Sequence, residues 1–438
     1  MKSSLESPPS PALARTRLAV RMFAWIALAA AFTMPVHEAG AQAANAKLRE
    51  VATKHYQLSI EGTADEAAEV GQVLEQAWSA YQVFFKQHPD DTKRLRVKLL
   101  ASERSYLDTA WGDKALVPAQ CKNVCWSDTT EAVYVWGQPT LSTTRRNLLF
   151  GTALQFHALC KTKNRDLQRS WYEAGLAHAF SRHIWDGKRL QTMARPLVEA
   201  VDYPLLALRA LDADPLGLPR IADADLSDPI LCWSAVGLCV RGARGRYREA
   251  FDKYALGATG SKLPGDDFLR SLGTPANLVR DLRAWLVDEQ TPFECVAGDW
   301  EDGGDLGLMG EAAFDKQGLC ILKEAADTLE CTLGELPKQR CQGGLVTGYY
   351  GPNDYVLLIA VAPSLHIETW KDGRLAALES VEIPGDHVKK RKLKVQRVGV
   401  NALITIDDLA LAPRELPRGR NGLYVSAGRV SYTDVKWH

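Results

Sequence analysis

The sequence carries no surplus of either charge: 53 basic residues balance 53 acidic ones across 438 positions. A chain of this balance lacks the basic footprint that phosphate backbones require, which argues against nucleic acid as a partner. No apolar run is long enough for a membrane span, which needs about 20 residues. The longest, Met22 to Met34, falls short of that. Low-complexity tracts are missing too, and no two carboxylates stand at a recognisable glycosidase spacing.

What is present at the start reads as an address. Arg15, Arg17 and Arg21 precede the Met22 to Met34 run, and Ala39-Gly-Ala41 or Ala41-Gln-Ala43 offers a small-residue cleavage site. Residues 1–43 are therefore expected to be a signal peptide, and the mature protein to be exported to the periplasm or the extracellular space without a membrane span. Its removal leaves 49 basic against 51 acidic residues. A single hydrophobic core stops growing near roughly 250 to 300 residues, so the length implies two or more domains.

Tyr56, Leu58 and Ile60 alternate with polar residues, and Thr63-x-x-Glu66 then reads as a capping box opening a helix with Val70, Leu74, Ala77, Tyr81 and Phe84 on one face. Leu95, Val97 and Leu99 read as a second strand, and Val133 to Trp136 as a third. From about Gly187 to Glu289 the pattern is helical, punctuated by Pro196, Pro204, Pro215, Pro219 and Pro229. At Pro292 the periodicity changes to alternation, and short strands are expected at 345–350, 355–361, 365–370, 393–398, 402–406, 423–426 and 430–437. Asp407-Asp408 reads as a hairpin turn. The fold class expected is multidomain: an α/β plus α-helical domain over 48–289, then an all-β sandwich over 293–438 that folds on its own.

Two segments carry a resemblance. Leu148-Leu-Phe-Gly-Thr-Ala-Leu-Gln-Phe-His157 and Ser170-Trp-Tyr-Glu-Ala-Gly-Leu-Ala-His-Ala-Phe-Ser-Arg-His183 resemble the two metal-binding helices of gluzincin-type zinc metallopeptidases, with the ligands replaced. In one register Phe150, Gly151 and Leu154 stand where the family has His, Glu and His. In the other, His157 is the second motif histidine and Ala153 and Leu154 replace the His-Glu pair. On the second helix Ala174 takes the place of the Glu ligand, and Glu173 comes one residue early. One helical step turns a side chain by about 100°, so Glu173 is expected to point elsewhere, and Ser170-x-x-Glu173 reads as a capping box.

A hydrolytic zinc site needs three N or O ligands, an open water position and a general base. The resemblance therefore implies a non-catalytic pseudopeptidase with no cofactor, in which Val133 to Trp136 matches the edge strand that holds an extended polypeptide. The alternative is an active metallopeptidase with a displaced zinc site built on His157, Glu173 and His178. His178 and His183 are five residues apart and do not share a helix face.

The C-terminal third is similar to concanavalin A-like jelly rolls. The pieces are Gly298-Asp-Trp300, Gly343-Gly-Leu-Val346, Asn353-Asp-Tyr355, Trp370-Lys-Asp-Gly373, Leu393-Lys-Val395 and Gly422-Leu-Tyr-Val-Ser426, in that order. This likeness implies carbohydrate binding, or glycan hydrolysis as the competing activity. Tyr349, Tyr350, Tyr355 and Trp370 are the available aromatics, and Tyr350, Asn353, Tyr355 and Trp370 the candidate site. Aromatics in strands also serve as core.

Export changes the reading of the nine cysteines. In an oxidising compartment close pairs form disulfides, so Cys121 with Cys125 and Cys232 with Cys239 are expected to be bridged. Cys295, Cys320, Cys331 and Cys341 fall together in the last third with their pairing open. Cys160 is expected to be a buried thiol.

Overall fold

The structure is a computed structural model. It describes residues 48–438 apart from 90–92, 116–120, 139, 161–170, 200, 216, 219–227, 260–267, 335–341, 362 and 384–389. The leader, Ser170 with its capping box, Pro219 and Cys341 lie outside the described residues.

The first region is a sheet packed against helices. Strands β1 (Leu48–Ala52), β2 (Tyr56–Glu61), β3 (Leu95–Leu100), β4 (Val124–Ser127) and β5 (Ala132–Trp136) lie in the order β1-β2-β3-β5-β4. The pairs β2–β3 and β3–β5 are parallel, and the edge strands run antiparallel to them. Helix α1 (Ala64–Phe85) opens on the expected capping box: Glu66 N donates to Thr63 Oγ1 at 3.2 Å, and Thr63 N donates to Glu66 Oε2 at 2.7 Å. Two free N–H groups at the helix start are thereby satisfied. Helix α2 (Glu103–Gly112) follows β3, with Ser102 as its N-cap.

Helix α3 (Leu141–Cys160) lies under this sheet. A Cβ on Gly151 would come within 2.5 Å of Val133 Cγ1, so the close approach of helix to sheet requires glycine there. Helix α4 (Trp171–Ser181) packs against α3 and against α6 (Pro229–Arg241), and a Cβ on Gly175 would meet the Cys232 carbonyl oxygen at 2.3 Å. The Gly-Leu-Ala segment is thus explained by helix packing alone. Between them come the hairpin β6 (His183–Trp185) and β7 (Leu190–Thr192), and helix α5 (Tyr203–Ala213). The helical pattern expected from Gly187 therefore begins only at Tyr203. Helices α7 (Arg248–Thr259), α8 (Phe268–Ser271) and α9 (Pro275–Asp288) complete the region.

One of the two expected bridges is excluded by geometry. Cys232 and Cys239 both lie in α6, where seven residues of rise separate their Cα atoms by about 10 Å, outside the roughly 4.4–6.8 Å that a disulfide spans. Cys121 and Cys125 pack on the Tyr106 and Tyr134 cluster as thiols, and Cys125 Sγ donates to the Trp126 carbonyl at 3.5 Å. Among the described residues there is no disulfide. Cys160 is a buried thiol, and burial pushes it up to about 12.

From Phe293 onward the described elements are strands with one short 3₁₀ turn: β8 (Phe293–Ala297), β9 (Asp299–Asp302), β10 (Leu308–Leu322), β11 (Thr328–Leu333), β12 (Gln342–Gly351), β13 (Asp354–Val361), β14 (Ser364–Lys371), β15 (Arg374–Glu382), β16 (Arg391–Val398), β17 (Asn401–Ile406), β18 (Leu409–Ala410), β19 (Arg414–Glu415) and β20 (Arg420–Trp437). The turn between β17 and β18 carries Asp407 in the left-handed region, as its sequence suggests. Strands β10 and β20 are long, and their pairing breaks register between Ala312 and Gln317. Each therefore serves two layers. One layer runs β15-β14-β13-β12, then the first half of β20, the second half of β10, and β8. The other runs β9, the first half of β10, the second half of β20, then β11, β16 and β17, with β18 and β19 on β17. Val356, Leu358, Leu365 and Ile367 from the first layer share one buried cluster with Leu329, Leu393, Val395 and Ile404 from the second. The C-terminal region is a two-layered β-sandwich.

Buried charge ties elements together within the helical region and, at Glu301, joins that region to the sandwich. Arg182, at the end of α4 and 3% exposed, donates to Glu199 and, at 2.9 Å, to Glu289 beyond α9; Arg241 reaches the same Glu289 carboxylate at 3.2 Å. Arg145 of α3 joins Glu69 of α1 to Glu301 of β9, and Glu301 also accepts from Arg429 of β20. Removing one partner of a buried pair leaves the other charge stranded, at a cost of about 3–5 kcal/mol. Arg182→Met should lower the unfolding free energy by that amount in urea titration. A loss under about 1 kcal/mol would show that the network is dispensable.

Candidate functional site

The helix pair that resembles a metal centre is filled by its own side chains. His157 Nδ1 lies 3.2 Å from Glu173 Oε1, both groups buried between α3 and α4. Glu173 thus faces His157, contrary to the expectation from the Ala174 register, because α4 meets α3 along the face that carries Glu173. Ala153 and Leu154 are core residues, Ala174 and Phe150 pack at the core's margin, and Gly151 lies against β5. His178 belongs to a different neighbourhood: its Nδ1 is hydrogen-bonded with Tyr203 Oη at 3.0 Å and its ring centre lies 4.7 Å from that of Phe150. Among the described residues no three His, Cys, Asp or Glu side chains are grouped to hold a metal. Nor is β5 an edge strand: β3 and β4 pair with it on either side, so it has no open edge to which an extended polypeptide could add.

Burial, and then the charge of Arg146, hold the His178 imidazole down at about 3, and burial with Arg145 holds His183 at about 4. A histidine lowered from 6.5 in the folded state is kept neutral by folding, so its contribution is fully present above pH 6.5 and is lost as pH falls toward the folded value. Each such imidazole should steepen the acid loss of unfolding free energy by about 1.4 kcal/mol per pH unit in that window. Urea titrations between pH 7 and roughly pH 4 should give a shallower slope for His178→Gln than for wild type. Equal slopes would contradict the assignment. Zinc analysis of chelator-free protein should find far less than one equivalent. One tightly held zinc lost in His157→Ala would establish a displaced metal site.

In the sandwich, the outer face of the first layer is where polar and aromatic chemistry meet. Alternation puts Leu365 and Ile367 of β14 into the core and His366, Glu368 and Trp370 on the opposite face, all half-buried. Register places Trp370 beside Tyr355, Glu368 beside Leu357 and His366 beside Ile359. The Trp370 indole N–H donates to Glu368 Oε2 at 2.9 Å, and Tyr355 Oη donates to Gln317 Oε1 at 2.9 Å. Trp370, Tyr355 and Tyr349 form a row across three strands, with neighbouring ring centroids 6.0 and 6.2 Å apart and planes within 22°. Arg420 closes the row, its guanidinium 5.3 Å from the Tyr349 ring centre and paired with Glu294 of β8 at 3.0 Å. The same face carries a buried apolar cluster beside the row: Leu319, Ile321, Val346, Leu357 and Ile359.

The structure splits the four candidate residues. Tyr355 and Trp370 belong to this row, whereas Tyr350, 70% exposed, and Asn353 lie at the β12–β13 end of the sandwich. There the Asn353 carbonyl accepts from Gly373 N at 3.0 Å. Glu368, His366, Gln317 and Arg420 escaped the sequence reading. The alternation in His366-Ile-Glu-Thr-Trp370 was the available signal for the first two. Gln317 and Arg420 come from strands whose pairing no local pattern reveals.

No family model and no curated protein matches the chain. Solved structures similar to part of it include a carbohydrate binding module, CBM66, from Bacillus subtilis, at 19% identity over 33% of this chain and 93% of that one, with a TM-score of 0.29. Sheep galectin-11 in complex with glycerol is 13% identical over 29% of this chain and 99% of its own, TM-score 0.23. A native glycosidic hydrolase is 12% identical over 34% and 90%, TM-score 0.26. At these values the likenesses carry no argument about what this chain does. No helix among the described residues is long and apolar enough to cross a membrane.

Proposed function

We propose that this is an exported glycan-binding protein whose binding strip is the outer face of β14, and whose N-terminal region is a non-catalytic relative of the gluzincin peptidases. The observation that carries the glycan reading is the set His366, Glu368 and Trp370 at alternate positions on one strand face, with Glu368 holding the indole in place. A sugar offers a face of C–H groups and a rim of hydroxyls. An oriented indole beside a carboxylate, an imidazole and a tyrosine row offers complementary apolar area and hydrogen-bonding groups. The pseudopeptidase reading is supported by the residues at the ligand positions, Phe150, Gly151, Ala153, Leu154 and Ala174, and by the direct contact of His157 with Glu173. Export, to the periplasm or beyond the cell, is supported by the basic and apolar pattern of the first 43 residues.

One aromatic contact contributes about 0.5–1.5 kcal/mol, the upper end of which is roughly tenfold in affinity. Titration of the full chain against a panel of neutral and anionic polysaccharides should find a ligand whose binding weakens about tenfold in Trp370→Ala and also falls in Glu368→Gln. Tyr350→Ala should leave it unchanged. Loss in Tyr350→Ala alone would move the site to the end of the sandwich, and failure to bind any polysaccharide would remove the reading.

A further inference from the structure

Strands β8 and β10 pair antiparallel with Cys295 directly opposite Cys320. We propose that these two residues are a redox site: in contact with a disulfide donor they close a cross-strand disulfide that staples the first strand of the sandwich to the long strand β10 beside it.

Residues directly opposite in an antiparallel pair have Cα atoms about 4.5–5.5 Å apart and point to the same face, inside the roughly 4.4–6.8 Å window of a disulfide; the register shifts by one residue of β8 just past the pair, between Leu319 and Cys320, and is regular from Cys320 to Leu322. Both side chains do share a face. Phe293 and Cys295 on β8, and Cys320 and Leu322 on β10, all turn toward the sandwich core, while Leu319 and Ile321 turn outward. The two sulfurs are also electrostatic neighbours: burial and then Cys295 push the Cys320 thiol well up. Cys331 lies in the same core but on β11 in the other layer, and its thiol is raised by burial and Glu330. The pairing left open by the sequence is thereby narrowed to one partner among the described residues.

Access differs between the two. Cys320 is fully buried, whereas Cys295 is half-buried, with its Sγ 3.3 Å from the Gly298 carbonyl, and it lines the cleft between β9 and the start of α3. Chemistry therefore begins at Cys295. With glutathione disulfide as oxidant, the Cys295 thiolate attacks one sulfur, forming a mixed disulfide and releasing one glutathione thiolate. The Cys320 thiolate then attacks the Cys295 sulfur and releases the second. One donor disulfide is reduced to two thiols, the protein loses two protons, and one protein disulfide forms. Burial holds the Cys295 thiol up at about 12, so the uncatalysed exchange is slow. The staple would fix the strand whose Glu294 holds Arg420 at the end of the aromatic row.

Trypsin separates the two residues, since Lys316 lies between them: Cys295 falls in peptide 284–316 and Cys320 in 317–323. After the full chain is equilibrated with glutathione disulfide, non-reducing mass mapping should show these two peptides joined, two hydrogens lighter than their sum, and dithiothreitol should separate them. Oxidation should raise the melting temperature by roughly 5 °C or more, and Cys295→Ser should abolish both the joined peptide and that rise without preventing folding. Glutathione left on Cys295 with Cys320 alkylatable, or Cys320 bridged to any other cysteine, would overturn the proposal. Because no sugar enters the measurement, its outcome is independent of the glycan reading.

Discussion

The arrangement depends on Arg182. Its guanidinium lies 5.0 Å from the Trp233 ring centre and is held by Glu199 and Glu289 in a region closed to solvent. An unpaired charge at such a depth is prohibitively costly, so the three elements that supply these groups must arrive together. Arg182 ends α4, Glu199 lies in the segment leading to α5, and Glu289 follows α9 four residues before β8 begins. The triad therefore ties the end of α4, the segment leading to α5 and the end of α9 to one another. A buried ionic cluster of this kind contributes little net stability compared with an apolar replacement. Its effect is to exclude other ways of docking α4, α9 and the segment between β7 and α5.

How much was legible in the sequence follows from which patterns are local. Leu365 and Ile367, Leu393 and Val395, and Ile404 and Ile406 alternate with less buried residues, and the strands they announce are present at β14, β16 and β17, while the continuous apolar run from Tyr355 to Val361 announces the buried β13. Strands β10 and β20 could not be measured from their own residues, because each crosses from one layer to the other and its inward face changes at the bend. Strand β15 is exposed along almost its whole length, so burial never imprinted an alternation on Arg374 to Glu382. Cysteine spacing failed for the opposite reason. Seven residues look close in sequence, yet in α6 they separate Cys232 from Cys239 by about two turns. The pair that the fold does oppose, Cys295 and Cys320, lies 25 positions apart and becomes visible only through strand register.

The same distinction governs the candidate sites. Matching Trp171 and Gly175 to a motif assigns Ala174 the place of a ligand, but the contact between α3 and α4 is set by packing around Gly175 and Gly151. That packing brings Glu173, not Ala174, up to His157. On the sandwich, Tyr349, Tyr355 and Trp370 face one another across the strands. The broad faces of the inner rings are occupied by their neighbours, which makes Tyr355 a structural member of the row. Trp370, at the β14 end and oriented by Glu368, has a different role from Tyr355 although the two were equivalent as letters.

The helical region and the sandwich share contacts beyond the short connection between α9 and β8. Val198, which precedes α5, is buried within the sandwich core together with Phe293, Leu322 and Leu329. The backbone around it is stitched to the same strands: Leu197 N donates to Asp302 Oδ2 at 2.8 Å, and the Leu197 carbonyl accepts from Phe293 N at 3.3 Å. Lys323, at the end of β10, pairs with Asp202 and donates to Thr291 Oγ1 at 2.9 Å. A fragment starting at Phe293 would expose the apolar socket of Val198 and leave the Asp302 carboxylate without this donor. Leu197 and Val198 thus belong to the packing of the sandwich although they come from the region before it, and nothing in Leu197-Val-Glu199 marks them as core for residues a hundred positions away.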